Sequence, residues 1–423
     1  MPLAPLALLF VLGSPDAAEI VRRIDACAAP YANAGHLSGN LLVAIGDEVV
    51  YERSFGMANV EHGVPNDPET RFNVASITKP MTVIAYIKLA EERKIAPSDK
   101  LSKWLPDFPN ADAITIEHLS RHRSGIPHRV TDDGEETVPR TAADMVTLAA
   151  RKPLQFPPGE RYSYSSGGFS VFSRVLELAG GESYGDLLRH RVCEPAGLQR
   201  TSHADSREIL PDRATPYLLG RDGKHVHAPL QDLSFLVGAG SVWSTARDLF
   251  ALSKAVRSGK FGEGVRLSNV DENGLDWNGS TNGFRAFVDW HKKSDATVIF
   301  TGNLMTGAAD RLQRDVAAIA AGETPPVLSP PTVVPVAVSE DVLKRYEGVY
   351  DLRQGTPLRV SAAGDRLRVS SRTLVPIGER TFFSWEDYAT VEFVFEGDGA
   401  ARPVRLDWKM EKETFACPRT GDL

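Results

Sequence analysis

Ser76 and Lys79 stand three residues apart within Arg71-Phe72-Asn73-Val74-Ala75-Ser76-Ile77-Thr78-Lys79-Pro80-Met81-Thr82. The run from Val83 to Arg93 that follows is strongly helical, and residues at i and i+3 share one face of a helix. Such a helix would hold the Ser76 hydroxyl and the Lys79 amine side by side at its start. A serine hydroxyl is a weak nucleophile until a neighbouring base takes its proton. A lysine can be that base only where its neutral form is accessible, which partial burial promotes. The helix start also leaves backbone N–H groups without helical partners, and these suit a developing oxyanion. Pro80 is tolerated in a first turn, where its missing N–H costs little. A bare Ser-x-x-Lys arises by chance about once or twice in a chain of this size, so the flanking sequence must decide.

The elements that would position this pair are legible in outline. Asp16 to Ala34 carries Ile20, Val21, Ile24 and Cys27-Ala28 at helical spacing. Leu41–Ile45 and Glu48–Ser54 read as a hairpin turning at Gly46-Asp47. Val83, Ile84, Ile87 and Leu89 predict a nucleophile helix buried on more than one side, as suits an element anchoring a site in a rigid core. From Asp99 to about Leu252 the chain reads as helix and loop. Phe284–Trp290 and Ala296–Thr301 predict a second hairpin, and a closing helix follows from about Ala308 to Ala321. Prolines at 325, 326, 330, 331 and 335 mark a stiff linker. Beyond it, Leu358–Val360, Arg366–Val369, Val391–Phe395 and Val404–Trp408 alternate as short strands, with turn signals at Gly364-Asp365 and Gly397-Asp398-Gly399. That pattern predicts a small antiparallel barrel or sandwich.

Composition narrows the class. The 423 residues suffice for two or three domains. A hydrophobic share of 42%, a charged share of 24% and a net charge of −7 describe an ordinary globular chain. No block of like charge points to nucleic acid or a polybasic membrane face. Cys27, Cys193 and Cys417 are too few and too far apart for a disulfide or metal framework and read as small buried side chains. His225-Val226-His227 lacks acidic or cysteine companions at metal spacing and reads as a solvated loop. Neither a Gly-x-Ser-x-Gly elbow nor a phosphate-binding glycine loop is present. No cofactor or metal is expected. Leu3 to Gly13 is apolar but too short to span a bilayer. It resembles the core of a secretory signal without the positive n-region, so a periplasmic or secreted location is expected, with a cytoplasmic one as the alternative.

Phe55-Gly56-Met57-Ala58-Asn59-Val60-Glu61, Pro65 and Thr70 to Lys79 closely resemble the serine β-lactamase-related family. That family includes class C β-lactamases, D-alanyl-D-alanine carboxypeptidases, D-aminopeptidases and several carboxylesterases. Ile114 to Pro127 resembles its Thr-Ile-x-x-Leu-Leu-x-His-x-Ser-Gly-Ile-Pro segment, with His122 expected to be structural, hydrogen-bonded beneath the site. Pro157 to Phe169 resembles its Pro-Gly-x-x-Phe-x-Tyr-Ser-Asn landmark. Tyr164 matches the catalytic tyrosine, and Ser166 stands where the asparagine usually is. Near a lysine ammonium, the Tyr164 phenol is expected to be held partly as phenolate, able to accept the Ser76 proton and pass it to the leaving group. Val237 to Leu249 resembles the family's glycine-rich turn and helix start, and is given only a capping role. The third landmark falls at Trp277-Asn278-Gly279, where relatives carry Lys-Thr-Gly or His-x-Gly. Gly279 is expected to leave room for a substrate's close approach, and the N–H groups of Ser76 and Ser280 to form the oxyanion hole.

The resemblance implies an α+β chain. An antiparallel sheet built from both ends of the first domain is flanked by helices, with a helical insert, and a lipocalin-like barrel follows. The expected organisation is a signal segment over 1–17, a hydrolase domain over 18–322, a proline-rich linker over 323–339 and the β domain over 340–423. Catalysis is assigned to Ser76, Lys79 and Tyr164, and substrate contact to Ser166, Trp277 and Gly279. Trp277 and Ser166 depart from the family pattern. The lost cation at 277 favours carboxylic esters over carboxylate-bearing substrates. The alternatives are a D-stereospecific peptidase, a D-alanyl-D-alanine carboxypeptidase, a β-lactamase, and a non-catalytic binder of peptide or cell-wall fragments. The expected partner is therefore a small ester, amide or peptide, with neither nucleic acid nor a membrane span; the oligomeric state is left open.

Overall fold

Alternating side chains along one strand, Leu41 and Val43 against Leu42 and Ala44, enter two different hydrophobic clusters. Successive strand residues face opposite ways, so this strand lies in a sheet covered on both faces. The computed structural model describes residues 17–132, 134–352, 357–369, 372–397 and 402–423; the expected signal segment lies almost wholly outside them.

Within these residues the positioning elements are helix α1 (Ala17–Asn33), strands β1 (Gly39–Ile45) and β2 (Glu48–Phe55), and helix α2 (Thr78–Glu91). Helix α3 (Ser166–Gly180), strands β3 (Gly274–Thr281), β4 (Phe284–His291) and β5 (Ala296–Gly302), and helix α4 (Gly307–Ala320) complete the set. The sheet is five-stranded and antiparallel, in the order β3-β4-β5-β1-β2, so its two ends in sequence meet at β5 and β1. That is the arrangement the resemblance implied. Helix α1 buries Ile20, Ile24, Cys27, Ala28 and Tyr31 on one stripe. Helix α4 packs Leu312, Val316 and Ile319 into the same cluster, on the Leu41 face.

The opposite face carries α2, α3 and the helical insert. Helix α2 buries residues around most of its circumference, including Met81, Ile84, Ala85 and Leu89. Tyr86 meets Phe172 of α3 edge-on at 5.3 Å. The insert contains more β structure than expected: its segments Val242–Ser244 and Ser202–His203 form a small sheet with Phe72–Asn73, which precedes α2. His225–His227 is also a strand, paired with Tyr217–Leu219, rather than a free loop. Its pattern is too short for periodicity to reveal. His225 Nε2 lies 2.7 Å from the Gly35 carbonyl and His227 pairs with Glu61. The three cysteines are buried and unpaired.

After the proline-rich stretch, strands β6 (Gly348–Asp351), β7 (Pro357–Ala363), β8 (Arg366–Val369), β9 (Arg372–Pro376), β10 (Thr381–Ser384), β11 (Ala389–Val394), β12 (Arg405–Lys409) and β13 (Thr414–Gly421) form a closed barrel. The barrel has its own core around Tyr346, Tyr350, Phe382 and Phe393. A second set from it, Val375, Phe383, Trp385 and Tyr388, instead joins the cluster of Leu37, Leu304 and Ala308 from the first domain.

Candidate active site

The backbone ahead of Ser76 is held against its preference. Ala75 has φ +47°, a left-handed conformation that costs a non-glycine residue of order 1–3 kcal/mol unless its surroundings fix it. Asn73 does the fixing. Its Oδ1 accepts from the Ala75 N–H at 3.0 Å, while its Nδ2 donates to the carbonyls of Gly240 and Val242 at 2.9 and 3.2 Å. Ser76 then sits in a single 3-10 turn, Ala75–Ile77, that runs into α2.

Ser76 and Lys79 are neighbours as their spacing predicts: Nζ lies 3.2 Å from Oγ. The Tyr164 phenol donates to the same Oγ at 2.8 Å. Tyr164 is in the loop just ahead of α3, whose N-cap is the adjacent Ser165. Its face covers Lys79, with Nζ 4.7 Å from the ring centroid. Lys79 is 5% exposed and donates to the Ala239 carbonyl at 2.8 Å. The glycine-rich turn to which sequence gave only a capping role thus orients the amine. Thr82 Oγ1 also donates to the Gly238 carbonyl at 2.7 Å, and Thr78 Oγ1 accepts from the Val242 N–H at 3.1 Å. Nothing in the sequence signals these contacts, because their partners are backbone atoms about 160 residues away.

Burial decides the protonation states. Desolvation lowers the Lys79 amine to about 7, against an ordinary value of 10.5. His122 and His128 are lowered to about 4, chiefly by desolvation and then by Lys79. Both rings are therefore neutral at neutral pH. His122 Nδ1 accepts from the Ser165 N–H at 3.0 Å, and its ring lies 4.6 Å from that of Tyr164. This is the structural role expected of it. The Tyr164 phenol is raised, first by desolvation, rather than lowered. The expected partial phenolate is therefore corrected: burial disfavours the charged form of the phenol, and also that of the lysine beside it, whose amine is itself lowered to about 7.

Ser76 and Tyr164 open on a cavity of about 370 Å³, walled on the sheet side by Asn278, Gly279 and Ser280 of the edge strand β3. Ser166 and Trp277 are not brought to this wall. Ser166 is buried at the start of α3, its N–H donating to His128 Nδ1 at 3.3 Å. Trp277 is 7% exposed and belongs to the same core cluster as Ile77 and Met81. Strand alternation turns Asn278 and Ser280 outward instead. Gly279 makes room, but for the protein rather than a ligand. A Cβ there would lie 2.3 Å from the Val74 carbonyl oxygen and 3.0 Å from the Ser76 nitrogen. The far wall comes from the barrel, through Arg372, Glu386 and Asp387. Among the described residues no group of His, Cys, Asp and Glu could hold a metal ion.

Comparison with known proteins places this geometry. The family model described as Beta-lactamase matches residues 22–322. Penicillin-binding protein 4* of Bacillus subtilis (strain 168) is 27% identical, over 89% of this chain and 94% of its own length. Esterase EstB of Burkholderia gladioli is 29% identical over 51% of this chain and 61% of its own. A crystal structure of SurE superposes with a TM-score of 0.59 at 20% identity, covering 94% of this chain and 99% of that one; that likeness is one of fold.

Proposed function

The chain belongs to the beta-lactamase family, and on that premise we propose that it is a serine hydrolase cleaving carboxylic esters through an acyl-enzyme on Ser76. The carrying observation is that Lys79 Nζ and the Tyr164 hydroxyl both lie within hydrogen-bond reach of Ser76 Oγ, at 3.2 and 2.8 Å. Lys79, neutral above about pH 7, takes the hydroxyl proton as Oγ attacks the ester carbonyl. The carbonyl oxygen becomes an oxyanion, received by the N–H groups of Ser76 and Ser280. Tyr164, a neutral phenol, gives its proton to the departing alcohol and recovers one from the Lys79 ammonium. Water then attacks the acyl-enzyme by the reverse relay, releasing the acid and restoring Ser76.

The ester preference is supported by the likeness to an esterase. A second reading, hydrolysis of a peptide or β-lactam, is favoured by the likeness to a penicillin-binding protein over nearly the whole chain. Fluorophosphonate labelling tests the hydrolase reading. The adduct mass must fall on the Ser76 peptide and vanish in Ser76→Ala; a protein that no acyl or phosphonyl donor modifies is a binder. Turnover of p-nitrophenyl acetate without nitrocefin selects the esterase, and the reverse selects the β-lactamase.

A further inference from the structure

Five charged side chains face the Ser76 cavity: Arg285 on β4, Asp310 on α4, Arg372 on β9, and Glu386 and Asp387 in the β10–β11 turn. The guanidiniums are already matched. Arg285 Nε donates to Asp310 at 2.9 Å, and its other nitrogens reach the carbonyls of Gly279 and Ala286 and the amide oxygen of Asn278. Arg372 pairs with Asp387. Glu386 is left as a carboxyl without an ion pair among the described residues. It is 4% exposed, and its oxygens accept from the Thr373 N–H at 3.0 Å and Ser384 Oγ at 3.1 Å. Each carboxylate oxygen can accept a further hydrogen bond.

The turn that carries Glu386 is held in place. Tyr388, at φ +51°, donates to or accepts from His36 Nδ1 at 2.8 Å, and the Gly307 N–H donates to the Trp385 carbonyl at 3.0 Å. A Cβ at Gly307 would strike Tyr388 at 2.6 Å. His36 beneath the turn is lowered by desolvation and then by His225, so it adds no charge at neutral pH.

We propose that the barrel completes the substrate site, and that Glu386 makes this hydrolase select substrates carrying an ammonium group. The proposal rests on the hydrolase reading for its chemistry, but its recognition step can be measured by itself. Asp310 and Asp387 offset the two arginines, which leaves Glu386 as the charge that an incoming cation meets. Desolvation, and to a lesser degree Asp387, raises Glu386 to about 7, so recognition strengthens as pH rises through that value.

Calorimetric titration of the full chain with benzylammonium and its neutral isostere benzyl alcohol tests this. At pH 8.5 the ammonium is expected to bind at least about tenfold more tightly. The preference should shrink at pH 5.5 and disappear in Glu386→Gln. Equal binding, unmeasurable ammonium binding, or a preference that survives in a folded Glu386→Gln overturns the proposal. Arg372→Gln gives a second readout: removing a cation must increase the preference, and a decrease refutes it. Ser76 labelling separates the two claims. A protein that labels without ammonium preference loses only this one, and a protein with the preference that never labels loses only the hydrolase reading.

Discussion

Replacing Lys79 by methionine should remove hydrolysis and at the same time stabilise the fold, by an amount that depends on pH in a set way. The amine has an ordinary value of 10.5 and is lowered to about 7 by burial. In the window between these values the unfolded chain holds a proton that the folded chain has released. Wild-type stability therefore rises with pH across that window, and below it the full penalty of burying the amine is present. The penalty is roughly 5 kcal/mol at pH 6 and roughly 2 kcal/mol at pH 9. Against it stands the Ala239 carbonyl, which loses its 2.8 Å donor in the variant at a cost of about 1–3 kcal/mol. Lys79→Met should thus be more stable than wild type by roughly 2–4 kcal/mol at pH 6, with little difference left at pH 9. The lost hydrogen bond is common to both conditions, so the change of about 3 kcal/mol between them reports the buried amine alone. Urea unfolding of both proteins, followed by tryptophan fluorescence at pH 6, 7.5 and 9, measures it. A stability difference that stays constant across this range would show that Lys79 is not held near neutrality, and the proposed base would lose its physical ground.

The same amine sets the activity profile: kcat/KM for a neutral ester should climb about tenfold from pH 6 to pH 8 and level above, following the ionisation of the buried Lys79 amine at about 7. Tyr164→Phe removes the donor 2.8 Å from Oγ and should lower kcat by about 10²–10⁴ while leaving the urea midpoint in place, since the residue is 40% exposed. Gly279→Ala forces a Cβ to 2.3 Å from the Val74 carbonyl; stability should fall by about 1–3 kcal/mol, and Ser76 labelling should slow with it, as denaturation and labelling rates will show.

Much of the architecture is legible in the sequence because it rests on local periodicity. Helices α1 and α4, the β1–β2 and β4–β5 hairpins and the barrel strands all carry patterns of 3.6 or 2 residues. The meeting of Ser76 and Lys79 follows from one helical turn, and Tyr164 could be added only through its resemblance to the family landmark. What escapes such reading depends on distant backbone. The left-handed Ala75, Asn73's grip on Gly240 and Val242, and the Ala239 carbonyl on Lys79 have no periodic signature. Trp277 shows the converse. Its position in the landmark pointed to the substrate, but strand alternation gives the outward place to its neighbour Asn278, and the indole fills the core. The phenolate expectation fails for a related reason: a charge inferred from one neighbour takes no account of the burial acting on both.

The apolar cluster shared by Val375, Phe383, Trp385 and Tyr388 with Leu37, Leu304 and Ala308 bears on how the chain can be divided. A cut in the proline-rich stretch would leave two fragments, each with a greasy scar where the other had been. Neither would be a self-sufficient piece: the larger should clump or demand detergent, and mixing the two should restore solubility together.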